Sequence, residues 1–177
     1  MSSRIKHAAA ALSAASDVNL TALEKVKKWY EIAVDKDYDG HDAILFSSMV
    51  LESASFEPTH ASPHNGKTVY SLVVPRTLCN LGGNLHGGAV ALIFDISTSL
   101  AITAVSKPGF WDSGNVSRNL NCTYLRPVAE GQKIWIESEV VHLGRRMGLT
   151  RALIRTEDGK VCYTCEHSKA TLGDPSL

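Results

Sequence analysis

The chain has 177 residues, 44% hydrophobic and 20% charged, a length and composition that suit one globular domain with a sizeable core. Eighteen basic residues balance eighteen acidic ones, so the zero net charge gives no reason to expect a nucleic-acid or membrane-surface partner. The seven histidines show no H-x-H or H-E-x-x-H spacing, and no metal site is expected.

The first 50 residues are predicted to form a tail and a helical extension. Residues 1–18 are rich in alanine and serine and contain no acid before Asp17. This composition is compatible with a mitochondrial transit peptide or with a disordered or weakly helical tail, and it is too weakly apolar for a secretory signal. We therefore expect an intracellular protein, cytoplasmic or mitochondrial. Thr21 and Glu24 match a capping box that opens a first helix, and residues 42–50 could form a second.

From residue 51 onwards the hydrophobic period changes, so residues 51–177 are predicted to form the main domain. Strands are predicted at 50–56, 67–75, 116–125, 132–143, 148–156 and 161–171, with a long helix at about 86–104. This order predicts an α+β fold in which one long helix packs against a mostly antiparallel sheet. Because the helix is apolar on nearly every side, a second chain or the N-terminal helix must cover what the sheet leaves open.

Two patterns that suggest other functions are better explained by this fold. The pair Cys162 and Cys165 has C-x-x-C spacing, but side chains three residues apart on a strand face opposite ways and no second pair is present. We expect these cysteines to be reduced, core-filling thiols. The apolar run 89–105 is not expected to span a membrane, because it is slightly short and contains Asp95.

The start of the long helix is a candidate binding site. His86, Gly87 and Gly88 stand where free backbone N–H groups point outward and the helix dipole favours negative charge. Glycine also lets a ligand approach the backbone closely, which suits a carbonyl oxygen that becomes an oxyanion during acyl transfer. The alternative is a glycine pair that only permits close packing.

Asp95 is the candidate catalytic carboxylate. It follows His86 by nine residues, which corresponds to a rotation of about 180° and a rise of about 13 Å, so the two residues lie on opposite sides of the helix. One site could use both only if a second copy supplied one of them, as in a symmetric dimer. The alternative is a structural Asp bonded to backbone or hydroxyl groups.

Four further polar residues have both a functional and a structural interpretation. The amide of Asn80 could orient a carbonyl group or a water molecule, or it could simply form a turn. Ser117 could hold an attacking water or bond to Asp95, or it could lie on a polar strand face. Arg145 and Arg146, at a strand end, suit phosphate binding or a solvated edge. The sequence contains no Walker motif, G-x-G-x-x-G or G-x-S-x-G pattern.

The motif N-L-G-G-N-L-H-G-G-A…D, followed by S-x-N-x-N-x-T-Y-L-x-P, resembles the hotdog-fold acyl-CoA thioesterases of the phenylacetate-degradation and thioesterase superfamily member 2 type. The resemblance spans about residues 50–172. It implies a sheet wrapped around a central helix, homodimers that often pair into tetramers, an active site at the dimer interface, and acyl-CoA as substrate without a further cofactor. Arg118 and Asn119 lie where relatives vary, so the resemblance implies no acyl preference.

The resemblance also implies a role for each matching residue. Asp95 matches the catalytic carboxylate, acting as general base or as nucleophile, and Ser117 matches the hydroxyl that orients water. Further matches are Asn80, His86 and Gly87 around the thioester carbonyl, with Gly88 beside them; Arg145 and Arg146 match a basic segment near the coenzyme A phosphates. Two alternatives remain: a hotdog hydratase or dehydratase acting on acyl thioesters, and a non-catalytic acyl-CoA-binding dimer.

Overall fold

The computed structural model describes residues 12–33 and 38–172, so most of the predicted tail, residues 1–11, lies outside the described part. The helices are α1 (Ala22–Ala33), α2 (Ala43–Ser48) and α3 (Gly87–Val105), with a 3-10 turn at Arg76–Leu78. The strands are β1 (Met49–Phe56), β2 (Gly66–Val73), β3 (Asn115–Tyr124), β4 (Lys133–Leu143), β5 (Met147–Thr156) and β6 (Val161–Thr171). They form one antiparallel sheet in the order β1-β2-β4-β5-β6-β3, which confirms the α+β prediction.

The N-terminal helices are part of the same hydrophobic core as the sheet. The backbone N–H of Thr21 donates to the Glu24 carboxylate at 2.7 Å, and the Glu24 N–H donates to Thr21 Oγ1 at 3.2 Å, which is the predicted capping box. Val26 of α1 and Leu45 and Phe46 of α2 are buried among residues of the sheet and of α3. The extension therefore contributes to the packing around the central helix.

Strand β4 illustrates how the period-two pattern positions the sheet. Ile134, Ile136 and Val140 face inward and are almost fully buried, whereas Trp135 and Glu137 lie on the outer face and are partly exposed. The Arg155 side chain of the neighbouring strand binds Glu137 at 2.5 Å on that outer face. The inner face is left for α3.

Helix α3 is buried except along one stripe. Its mean hydropathy is 1.8, and by length and composition alone it could cross a membrane, but 67% of it is buried within the described part of the fold. The sheet covers one side and α1 packs on another. Ala91, Leu92, Asp95 and Ser99 remain partly exposed, and their spacing of three to four residues places them on one face. The candidate carboxylate therefore lies in the part of α3 that this chain leaves open.

Candidate active site

The glycine-rich turn before α3 fixes the side chains of Asn80 and His86. Asn80 Oδ1 accepts hydrogen bonds from the N–H groups of Gly82 at 2.9 Å and Asn84 at 3.2 Å, so this residue does form the turn. His86 is the N-cap of α3, and its Nδ1 accepts from the Gly88 N–H at 2.9 Å. A neutral His86 ring must then carry its proton on Nε2. Within the described part of the chain neither the Asn80 amide NH₂ nor the His86 Nε2 has an acceptor, so both are left as donors.

The first helical N–H is an open donor. The N–H of Gly88 is taken by His86, whereas the N–H of Gly87 has no acceptor among the described residues. Tyr124, at the end of β3, donates its hydroxyl proton to the Gly87 carbonyl at 3.0 Å. A cavity of about 720 Å³ beside this helix start is lined in part by Asn80 and His86. This region can therefore offer several donors to an oxygen atom of a ligand.

Asp95 is held by the side chains of Ser117 and Lys169, which come from two strands of the sheet. Ser117 of β3 donates to Asp95 Oδ1 at 2.5 Å, and the Lys169 ammonium of β6 donates to the same oxygen at 3.0 Å. Lys169 also donates to Ser117 Oγ at 3.1 Å and to Ser99 Oγ at 2.6 Å. The other carboxylate oxygen, Oδ2, has no hydrogen bond within residues 12–33 and 38–172. This leaves Oδ2 free to accept a proton.

His167 of β6 also belongs to the cluster of polar side chains around Asp95. Its ring is fully buried, its Nδ1 lies 2.8 Å from Thr98 Oγ1, and its Nε2 lies 3.5 Å from Asp95 Oδ1. Burial lowers the pKa of His167 to about 4, with the Lys169 charge acting in the same direction and Asp95 opposing it. At neutral pH this histidine is uncharged.

The net charge state of the cluster follows from these contacts. Burial by itself raises the pKa of Asp95, but the Ser117 hydrogen bond and the Lys169 charge outweigh it, and the pKa lies below its ordinary value. Burial likewise lowers the pKa of Lys169, against the opposing effect of Asp95. A half-exposed carboxylate paired with an ammonium group that is only 2% exposed is therefore ionised at neutral pH.

The two halves of the candidate site are far apart in one chain. Asp95 contacts Ser117 near the start of β3, and Gly87 contacts Tyr124 at its end. Tyr124 lies seven residues along the strand from Ser117, a distance of about 23 Å. The geometry agrees with the sequence argument that Asp95 and the helix start cannot serve one site within a single chain.

Arg145 and Arg146 lie in the short turn between β4 and β5, where both side chains are exposed. The Arg146 carbonyl accepts a hydrogen bond from the N–H of Thr171 at 3.1 Å, which ties this turn to the end of β6. This position, at the end of a strand, suits contact with a phosphate group in solution.

Sequence reasoning missed Lys169 and His167, although a signal was present. In the predicted strand 161–171, side chains two residues apart lie on the same face. His167 and Lys169 therefore share the buried face of Cys165, which was expected to be a core-filling thiol. A lysine and a histidine on the buried face of a strand need a polar partner. Asp95 is the acid that supplies it.

Comparisons with known proteins find similarity to thioesterases. The sequence model of the thioesterase superfamily matches residues 82–163. The proofreading thioesterase EntH of Klebsiella pneumoniae is 35% identical over 91 residues, which are 51% of this chain and 64% of EntH. Human acyl-coenzyme A thioesterase 13 is 29% identical over 114 residues, 63% of this chain and 77% of that relative. The chain thus spans less than two thirds of the length of EntH.

The fold comparison covers more of the molecule than the sequence comparisons do. The crystal structure of zebrafish thioesterase superfamily member 2 superposes with a TM-score of 0.71 and 28% identity, over 86% of this chain and 99% of that one. The superfamily match includes the helix start, Asp95 and Ser117, and the long helix with its antiparallel sheet is the arrangement of the matched structure. The chain has the hotdog fold predicted from its sequence, and over residues 82–163 it is similar in sequence to the thioesterase superfamily.

Proposed function

We propose that the protein hydrolyses acyl-CoA thioesters to a free acid and coenzyme A, at a site shared between two copies of the chain. The observation that carries the proposal is the pairing of an ionised, half-exposed Asp95 with Ser117 beside the open edge of the sheet. The similarity to the thioesterase superfamily and to an acyl-CoA thioesterase supports the reaction. Whether the protein acts in the cytoplasm or in mitochondria stays a prediction from sequence.

Strand β3 supports the way two copies would meet. It pairs with β6 on one side and is the last strand of the sheet on the other. Around it, four large apolar side chains are exposed: Leu81, Val116, Tyr124 and Leu125. An unpaired edge with exposed apolar groups is a natural docking surface for an identical strand.

Antiparallel pairing of two β3 strands would build the complete site. If the two-fold axis passes between Leu120 and Asn121, Ser117 of one copy lies opposite Tyr124 of the other. Asp95, held by Ser117, would then face the helix start that Tyr124 contacts in the second copy. A dimer of this kind contains two such sites, and a tetramer could form from two dimers.

The chemistry follows from the groups brought together. The thioester carbonyl oxygen would accept hydrogen bonds from the Gly87 N–H and from the amide of Asn80 or Nε2 of His86, which stabilise the developing oxyanion. Asp95 Oδ2 would take a proton from water while the water oxygen bonds to the carbonyl carbon. The carbon–sulfur bond then breaks, and the coenzyme A thiolate leaves. Direct attack by Asp95, through an anhydride, is the alternative route.

Basic groups are proposed to bind the rest of the substrate. Arg145 and Arg146 are exposed at the β4–β5 turn and would contact the coenzyme A phosphates, with Gly88 near the pantetheine end. The proposal requires no metal and no cofactor besides the substrate.

The first test is thioester hydrolysis by purified wild type and by Asp95→Asn. The substitution keeps the shape but removes the base, and we expect kcat to fall by about 10²–10⁴-fold. Glu166→Gln, which changes an exposed carboxylate on the outer face of β6, is the matched control and should retain activity. Full activity of Asp95→Asn would show that another group is the base.

The shared site has a separate test by complementation. Asp95→Asn and Gly87→Trp are each expected to be inactive. When the two are unfolded together and refolded at equal amounts, half of the dimers are mixed and each mixed dimer has one intact site. About a quarter of wild-type activity should then return. A mixture that stays inactive would mean that Asp95 and Gly87 of the same chain act together.

The two other functions give different readouts in the same assays. A hydratase would consume the double-bond absorbance of crotonyl-CoA without releasing thiol. A non-catalytic dimer would bind acyl-CoA without turnover. Thiol release that depends on Asp95 would exclude both.

A further inference from the structure

A cavity of about 340 Å³ opens beside Asp95, on the side of α3 that faces the N-terminal helices. Its walls come from α1, α2, α3 and the segment 111–115, together with Leu12 and Ala15 before α1 and Leu172 after β6. The lining side chains that matter here are Trp29, Phe46, Asp95, Ile96, Leu100 and Trp111. Apart from Asp95 these six are aromatic or aliphatic, and most of the exposed lining is apolar, so the cavity favours a largely apolar guest. Polar side chains complete the lining: Asp42, Ser99, Thr103, Ser113 and Asn115.

We propose that this cavity receives the acyl group of the substrate and limits it to an uncharged, apolar group of about six to ten carbons, linear or aryl. The inference rests on the proposed function, because a base at Asp95 must lie within reach of the water that attacks the carbonyl carbon. The group attached to that carbon then lies beside Asp95, and this cavity is a largely apolar space that Asp95 lines.

The size limit follows from the cavity volume. A dry cavity of about 150 Å³ holds one benzene molecule, so 340 Å³ holds roughly two such groups, or ten to twelve carbons at most. A palmitoyl group has sixteen carbons and would leave part of its chain in water. Linear groups of medium length and phenyl-substituted groups fit entirely.

The walls of the cavity are held in place by the fold. The Trp111 indole N–H donates to the Gly144 carbonyl at 2.9 Å, and the Trp111 carbonyl accepts from Ser106 Oγ at 2.9 Å. Leu100 is only 3% exposed and belongs to the central helix. A wall of buried, hydrogen-bonded residues yields little to a longer chain, so length should be selected sharply.

Two carboxylates in the wall determine which charge is accepted. Asp42 lines the cavity together with Asp95, and the Tyr38 hydroxyl donates to Asp42 Oδ1 at 2.5 Å. A terminal carboxylate on the acyl group would meet these acids and no lining lysine or arginine from the described residues. Acyl groups derived from dicarboxylic acids should therefore be rejected.

The binding test uses S-alkyl-CoA thioethers, which cannot be hydrolysed, with alkyl groups from butyl to hexadecyl. Each methylene that enters the cavity should lower Kd about fourfold, measured by titration calorimetry on the full chain. We expect the decrease to stop at eight to ten carbons (~C8–C10). A Kd that keeps falling to hexadecyl, or that does not depend on length, would overturn the proposal.

Variants locate the selection in this cavity. Ser113 is exposed and lines the cavity, so Ser113→Trp should fill it and weaken octyl-CoA binding at least tenfold while butyl-CoA binding changes little. Trp29→Leu should open it and move the optimum to longer chains. Ser47→Trp, at an exposed position of α2 that does not line the cavity, is the control for each. Equal length profiles for Ser113→Trp and Ser47→Trp would place the acyl group elsewhere.

Hydrolysis of an acyl-CoA series separates this inference from the proposed function. If thioether binding has a length optimum but no acyl-CoA releases thiol, the proposed role of the cavity is supported and the proposed activity is refuted. A hydrolysis rate that does not depend on acyl length, or that rises up to palmitoyl-CoA, would refute the proposed role of the cavity and support the proposed activity.

Discussion

The buried, uncharged His167 predicts a specific loss of stability in acid. The pKa of its imidazole falls from 6.5 in the unfolded chain to about 4 in the fold, so between these values the unfolded chain binds a proton that the folded chain does not. The contribution of His167 to the free energy of unfolding is fully present above pH 6.5 and is lost as the pH falls towards 4. At about 1.4 kcal/mol per pH unit, the loss is roughly 3 kcal/mol.

The assay is urea unfolding at several pH values between 7 and 4 for wild type and His167→Asn. Asparagine keeps a polar partner for Thr98 but does not titrate in this range. Whatever the stability of the variant at pH 7, its loss on acidification should be smaller than that of wild type by about 3 kcal/mol. Parallel losses in the two proteins would mean that the histidine is charged in the fold, and the electrostatic account of the cluster would be wrong.

Two further predictions concern Lys169 and Thr21. Lys169→Met removes a charge-assisted hydrogen bond worth about 1.5–3 kcal/mol to the Asp95 carboxylate. We expect the acid limb of the kcat/KM profile to move to higher pH, so that kcat/KM falls tenfold or more near that limb. Lys160→Met is the exposed control, and an acid limb that does not move in Lys169→Met would contradict the prediction. Thr21→Ala removes the N-terminal capping bond of α1 and should lower the free energy of unfolding by about 1 kcal/mol, whereas Thr21→Ser should not.

Local sequence rules were enough for the elements of the fold. The alternating pattern of β4 predicts a strand that is buried on one face, and the long apolar run of α3 predicts a helix that is buried on nearly all faces. The capping box at Thr21 and Glu24 involves residues three apart and needs no tertiary information. These features were therefore predicted within one or two residues of their observed bounds.

The candidate site was only partly predictable, because its contacts join residues far apart in the chain. Asp95 and Ser117 are 22 residues apart, and the sequence left their contact as one of several interpretations of Ser117. Lys169 is 74 residues from Asp95, and no local sequence pattern indicates that β6 packs against α3 at Asp95. The turn role of Asn80 is local and was one of its two predicted interpretations, which its hydrogen bonds now confirm. The capping role of His86 is local too, but the sequence analysis did not predict it.

The edge strand β3 is attached to α3 at both of its ends. Ser117 joins Asp95 at one end and Tyr124 joins Gly87 at the other, so strand and helix form a single stiff unit before any second copy arrives. Ordering a loose strand at an interface would cost conformational entropy at the moment of association. Here that entropy is already lost during folding, and two chains that meet edge to edge need only align.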